Sequence, residues 1–156
     1  FVPELLIAAR AMKSSLEVIR PLLQGAGSEP AGRVVIGTVQ GDLHDIGKNL
    51  VAIMLEGSGF EIIDVGVDAN PDKFIDAINA KQPDIVALSA LLTTTLPAMK
   101  NIIDRMQQAG VRSQVKVIVG GAPVTEDFAT EIGADGYSDN AGAAVTLARR
   151  LLNKAA

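Results

Sequence analysis

The sequence predicts an α/β fold, a doubly wound, five-stranded parallel sheet of the flavodoxin or Rossmann type. Three observations predict it. From Arg33 onward, short β-branched runs alternate with helical periodicities in five strand–helix units. The chain is 48% hydrophobic but only 3% aromatic, so its core must be built from Val, Ile, Leu and Ala, as buried parallel strands usually are. Its 15 glycines gather near the ends of apolar runs, where tight turns and close backbone approach call for them.

The elements follow in order. Residues 3–23 read as a helix, because Leu5, Ala9, Met12, Leu16, Ile19 and Leu23 recur at alternating spacings of four and three. Pro3 suits a first helical position, and Pro21 ends or kinks the helix near Arg20. The small-residue stretch GAGSEPAG supplies a linker over residues 25–32. Strands are expected at 33–39, 60–65, 84–89, 115–120 and, from a weaker pattern, 135–138. Helices are expected at 47–57, 71–81, 95–109, 125–132 and 140–153, with Pro71 opening one and Gly110 and Gly133 stopping two others.

Composition narrows the function. A formal net charge of −4 argues against a nucleic-acid surface, which needs a basic patch. No apolar run approaches the ~20 residues of a membrane helix. With no cysteine there are no disulfides, thiolate metal sites or cysteine nucleophiles, which fits a cytoplasmic protein. The chain opens on Phe1 rather than Met and is expected to be a fragment.

The sole histidine lies in Gly41-Asp42-Leu43-His44-Asp45-Ile46-Gly47-Lys48-Asn49, between the first strand and its helix. Loops of this kind sit at the carboxyl edge of an open sheet, where ligands bind. A neutral imidazole can ligate a metal through one ring nitrogen while a carboxylate such as Asp42 accepts the other N–H. Equally, Asp42 or Asp45 is a helix cap and His44 a surface residue.

Two further signals fall on the same edge. Ser89, Thr93, Thr94 and Thr95 follow the third strand. Four hydroxyls are costly to bury unpaired, and capping by Thr94 or Thr95 accounts for only one of them. Gly120-Gly121-Ala122 follows the fourth strand, either as an ordinary turn or to let a ligand approach the backbone. Gly66 and the stretch from Gly136 to Asn140 are weaker. The sequence carries no Walker motif, nucleophile elbow or G-x-G-x-x-G after the first strand. An acidic Mg²⁺ pocket of Asp42, Asp45, Asp64 and Asp68, as in phosphoacceptor domains, stands as a rival.

Together Asp42-x-His44-x-x-Gly47, Ser89-x-Leu91 and Gly120-Gly121 resemble the corrinoid (vitamin B12)-binding domain family, and the resemblance covers residues 33–154. It implies cobalamin or a related benzimidazolyl corrinoid, bound base-off with His44 as lower axial ligand to cobalt. Asp42 and then Thr95, at a position often Ser in methionine synthase, would form a relay behind His44. Ser89, Leu91, Gly120, Gly121 and Ala122 would line a slot for the displaced nucleotide tail, with Asp45, Ile46, Gly47, Thr93 and Tyr137 also contacting the cofactor. Residues 1–24 resemble the last helix of the helical cap module that precedes this domain in methyltransferase corrinoid proteins, leaving 33–156 as the B12-binding domain.

The implied role is that of a carrier rather than a complete enzyme. Cobalt would cycle between methyl-Co(III) and Co(I), loaded by a substrate-specific methyltransferase acting on methanol, methylamines or related donors. A second methyltransferase, using tetrahydrofolate or a thiol cofactor, would unload it, and a reductive activase would restore lapsed cobalt. The rivals are an adenosylcobalamin mutase subunit, against which the helical segment weighs, and a B12-dependent regulatory sensor, which needs an upstream DNA-binding domain.

Overall fold

The computed structural model describes residues 29–153, together with nine exposed helical positions between Glu4 and Val18. The apolar stripe expected from Leu5 to Leu23, the break at Pro21 and the first half of the linker lie outside the described residues.

Five strands form one parallel sheet: β1 (Arg33–Thr38), β2 (Glu61–Asp64), β3 (Ile85–Ser89), β4 (Lys116–Gly120) and β5 (Gly136–Tyr137). Their order, β2-β1-β3-β4-β5, is the flavodoxin order and decides between the two expected types. The helices are α1 (Ile46–Gly57), α2 (Pro71–Lys81), α3 (Leu96–Gln108), α4 (Glu126–Glu131) and α5 (Ala141–Leu151). Every expected boundary from residue 33 onward falls within two residues of the observed one. Short 3₁₀ turns at Thr93–Thr95 and Arg112–Gln114 were not anticipated.

Alternation along the strands builds two cores. Val35, Val86, Leu88, Val117 and Val119 face one way and pack with Phe74 and Ile78 of α2, Met99, Ile102, Ile103 and Met106 of α3, and Ala129 of α4. Val34, Ile36, Ile85, Ala87 and Ile118 face the other way, against Leu55 of α1 and Leu147 and Ala148 of α5. Two-sided burial explains why the strands read as continuous apolar runs.

The helix ends follow local chemistry. Asn70 caps α2 by accepting from the Lys73 N–H at 3.1 Å, with Pro71 next in the first turn. Gly110 and Gly133 end α3 and α4 with φ of 72° and 78°, the left-handed backbone that glycine adopts without strain. Because β1 connects outward to β2 while β3 lies on its other side, the carboxyl ends of β1 and β3 form the switch point of the sheet, where a crevice must open.

Candidate functional site

Asp42 occupies that crevice and is fully buried. Its Oδ1 accepts from the backbone N–H of His44 at 3.1 Å and lies 2.7 Å from His44 Nδ1. Its Oδ2 accepts from the N–H groups of Leu91 and Leu92 at 2.8 and 3.2 Å, and from the Thr95 hydroxyl at 2.8 Å. Burial pushes the carboxyl pKa up and is the largest single effect. The hydrogen bonds from Leu91, the His44 side chain and backbone, and Thr95 together outweigh it, holding Asp42 well below the usual carboxylate range. Asp42 is therefore a carboxylate, and a carboxylate only accepts.

That settles the tautomer. Facing an ionised Asp42, His44 Nδ1 must carry the hydrogen and donate it, which leaves the Nε2 lone pair free in the neutral ring. The ring is 51% exposed and Nε2 has no partner among the described residues. The Thr38 hydroxyl, wholly buried at the end of β1, holds the His44 carbonyl at 2.8 Å and steadies the loop from below. The chemical product is one presented imidazole lone pair, backed by an anion.

Among the described residues no group of three or more His, Cys, Asp or Glu is arranged to hold a metal ion. The expected Mg²⁺ rival fails for a visible reason: Asp64 accepts from Lys48 and the Gly66 N–H, and Asp68 from the Gly41 N–H. Asp45 accepts from Asn49. A single imidazole does not retain a free divalent ion, but it can ligate a metal that arrives with its own equatorial ligands.

Beside this loop lies a cavity of about 350 Å³, between the carboxyl halves of β1, β3 and β4 and helices α1 and α5. That volume lies at the lower end of the range for small-molecule sites. Its floor is apolar, formed by the buried residues Ile36, Ala87, Ile118, Val119 and Ala144. Ser89 and Ser138 line the walls with hydroxyls that have no partner among the described residues. Of the residues expected at a slot, Gly47, Ser89, Gly120, Gly121 and Ala122 line the cavity.

The glycines divide by cause. A Cβ at Gly47 would meet nothing within 4 Å, so no neighbouring atom in the protein requires glycine there. A Cβ at Gly121 would stand 1.8 Å from the Ala90 carbonyl oxygen, at a φ of 137°. Gly121 lines the cavity as expected, and the close approach of the chain after β3 to the chain after β4 by itself requires glycine there. Gly120 packs on Ser138, whose carbonyl oxygen would lie 3.1 Å from an added Cβ.

Other expected residues lie outside the cavity lining. Tyr137 packs with the cluster on the opposite sheet face and does not line the cavity. Neither Asp45 nor Thr95 caps a helix with its side chain, because Asp45 meets Asn49 and Thr95 meets Asp42 and the Leu92 carbonyl. Leu91 offers Asp42 its N–H and is 44% exposed as a residue, and Asp45, Ile46 and Thr93 are likewise exposed outside the cavity lining. Sequence reasoning missed Thr38, Lys48 and Leu92, and it held Ser138 only within the weaker stretch from Gly136 to Asn140. Lys48, directly after Gly47, is a buried charge that needs a partner, and its burial is visible only in the folded structure. Leu92 contributes backbone groups alone, which no side-chain pattern reveals.

A parallel sheet with one presented imidazole at its switch point and an apolar slot alongside defines a class, a domain for a cofactor that brings its own metal. The chain belongs to the B12 binding domain family, whose model matches residues 32–146. It is 44% identical over 153 residues to dimethylamine corrinoid protein 3 of Methanosarcina mazei, covering 97% of this chain and 92% of that one. The fold is similar to the monomethylamine corrinoid protein of Methanosarcina barkeri, with a TM-score of 0.75 and 36% identity over 97% of this chain and 72% of that one. It also resembles a chain of the methanol:cobalamin methyltransferase complex of Methanosarcina barkeri, with a TM-score of 0.79, 29% identity and coverage of 99% and 59%. No helix among the described residues is long and apolar enough to cross a membrane.

Proposed function

We propose that this chain is a corrinoid carrier of a methyltransferase system, holding cobalamin or a related benzimidazolyl corrinoid base-off and His-on. The observation that carries this is the free Nε2 of His44 beside an apolar slot. His44 would be the lower axial ligand, and the slot lined by Gly47, Ser89, Gly120, Gly121 and Ala122 would take the nucleotide tail that His44 displaces. The bound corrinoid supplies a cobalt able to accept and surrender a methyl group.

The residues of the chain do the rest. Asp42 fixes the His44 tautomer and makes the ring a stronger donor. The Leu91 and Leu92 amides and Thr95 keep Asp42 ionised. The apolar floor excludes water from the tail. Nothing among these groups activates a methyl donor, which fits a carrier served by a substrate-specific methyltransferase and unloaded by one using tetrahydrofolate or a thiol cofactor. We place it in the cytoplasm, maintained there by a reductive activase. Similarity to a chain of a methanol:cobalamin methyltransferase complex and to methylamine corrinoid proteins supports this class of donor.

Electron paramagnetic resonance of cob(II)alamin bound to protein made with ¹⁵N-histidine tests the ligation. With one histidine in the chain, a nitrogen splitting that changes on labelling identifies His44 as the ligand. The change should vanish in His44→Ala. A splitting indifferent to the label would mean that the corrinoid keeps its own base, overturning the His-on reading.

A further inference from the structure

The segment carrying His44 is held to the end of β2 at two points. Upstream of the histidine, Asp68 Oδ1 accepts from the Gly41 N–H at 2.8 Å, and the Asp68 N–H donates to the Asp42 carbonyl at 3.0 Å. The pair is reciprocal and needs unusual backbone at both residues, with φ of 85° at Gly41 and 47° at Asp68. Asp and Asn are the side-chain-bearing residues that best tolerate this region. Downstream, the Lys48 ammonium is buried beneath the first turn of α1 and donates to Asp64 Oδ2 and to Asn49 Oδ1. Asp64 Oδ1 in turn accepts from the Gly66 N–H at 2.8 Å.

Neither carboxylate belongs to the two apolar cores, and both are exposed. Among the described residues, the Asp68 side chain reaches out of its loop only to the His44 segment, and the Asp64 side chain reaches only to that segment and its own turn. The opposite side of the segment is held by the bonds from the β3–α3 connection to Asp42. Residues 41–48 are thus fastened on both flanks, while His44 itself projects from the middle.

We propose that Asp64 and Asp68 are positioning residues for the axial ligand: a two-point clamp, on Gly41 and on Lys48, that sets where His44 stands and so how strongly it ligates. The clamp rests on His44 being that ligand. The pair first read as half of a Mg²⁺ pocket becomes the fixed side of a ligand mount.

The test uses the full chain and three variants. Asp68→Ala removes the upstream bond, and Asp68→Asn keeps an Oδ1 acceptor and tolerates the left-handed backbone. Lys48→Met removes the downstream bond, fills a similar volume and leaves Asp64 to solvent. In Asp68→Ala and Lys48→Met, the His-on fraction of bound cob(II)alamin should fall and its affinity weaken about fivefold, the worth of one hydrogen bond. Asp68→Asn should restore the wild-type His-on fraction. In the corrinoid-free proteins, amide exchange at residues 41–45 should quicken while that of β3 stays slow.

A wild-type His-on fraction in both Asp68→Ala and Lys48→Met overturns the clamp, even if exchange rises. Unchanged exchange at residues 41–45 overturns it as well, whatever the ligation. If the wild-type spectrum itself ignores the ¹⁵N label, the axial-ligand reading fails instead, and the two failures are told apart. Should Asp68→Ala not fold, Lys48→Met carries the same test from the other end.

Discussion

The Thr95 hydroxyl stands 2.8 Å from Asp42 Oδ2 and 2.9 Å from the Leu92 carbonyl. A hydroxyl has one hydrogen to give, and the ionised carboxylate is the stronger acceptor. The hydrogen therefore goes to Asp42, and the side chain ties the β3–α3 connection to the histidine loop. Thr95→Val keeps the shape and deletes the donor, and should cost the corrinoid-free protein about 1–3 kcal/mol. Thr95→Ser should restore most of this loss. Urea denaturation of the three proteins measures it.

Asp42 also predicts an acid limb. Its folded-state pKa lies below the unfolded value of about 3.9, so its contribution to stability is complete above roughly pH 5. It is lost progressively as the pH falls from there through the folded-state value. Asp42→Asn removes that dependence and should cost about 1–3 kcal/mol near neutrality. The gap between wild type and variant should narrow as unfolding is measured from pH 7 down to pH 3. A gap that stays constant over that range would contradict the assignment of a depressed carboxyl.

Two glycines of the motif should respond in opposite ways. A methyl at Gly47 enters open space in the first turn of a helix, so Gly47→Ala should stabilise the corrinoid-free protein by about 0.5–1 kcal/mol. The same change should weaken corrinoid binding, because that space belongs to the slot. A methyl at Gly121 meets the Ala90 carbonyl, so Gly121→Ala should destabilise by about 3 kcal/mol or more before any ligand is added. Thermal melts with and without hydroxocobalamin separate the two effects.

Filling the slot should separate binding from folding. Ala144 is buried on the slot face of α5, and Ala144→Leu directs its added carbons toward the cavity. Stability should shift by no more than about 1.5 kcal/mol. Affinity for hydroxocobalamin, measured by titration calorimetry, should fall about tenfold or more. Undiminished affinity would place the nucleotide tail elsewhere.

The order of strands and helices from Arg33 to Leu151 was legible because both faces of the sheet are covered, and full burial writes β-branched runs directly into the chain. The pairing of His44 with Asp42 was legible too, because two residues of loop can bring an imidazole and a carboxylate together. Asp64 and Asp68 were misleading for the same reason that they matter. Acidic residues at a strand end look alike whether they hold a cation or a backbone N–H, and only the partner, Lys48 or Gly41, distinguishes the two.

What the sequence alone determined was the α/β repeat, the strand–loop–helix setting of His44 and the set of small residues around one sheet edge. Local spacing and two-sided burial suffice for these. Strand order, the face to which Tyr137 turns, the ionised state of Asp42 and the reason for Gly121 were decided only by tertiary structure. Each depends on groups far apart in the chain, among them the amides of Leu91 and Leu92 and the carbonyl of Ala90, and backbone groups of that kind are present at nearly every position of any sequence.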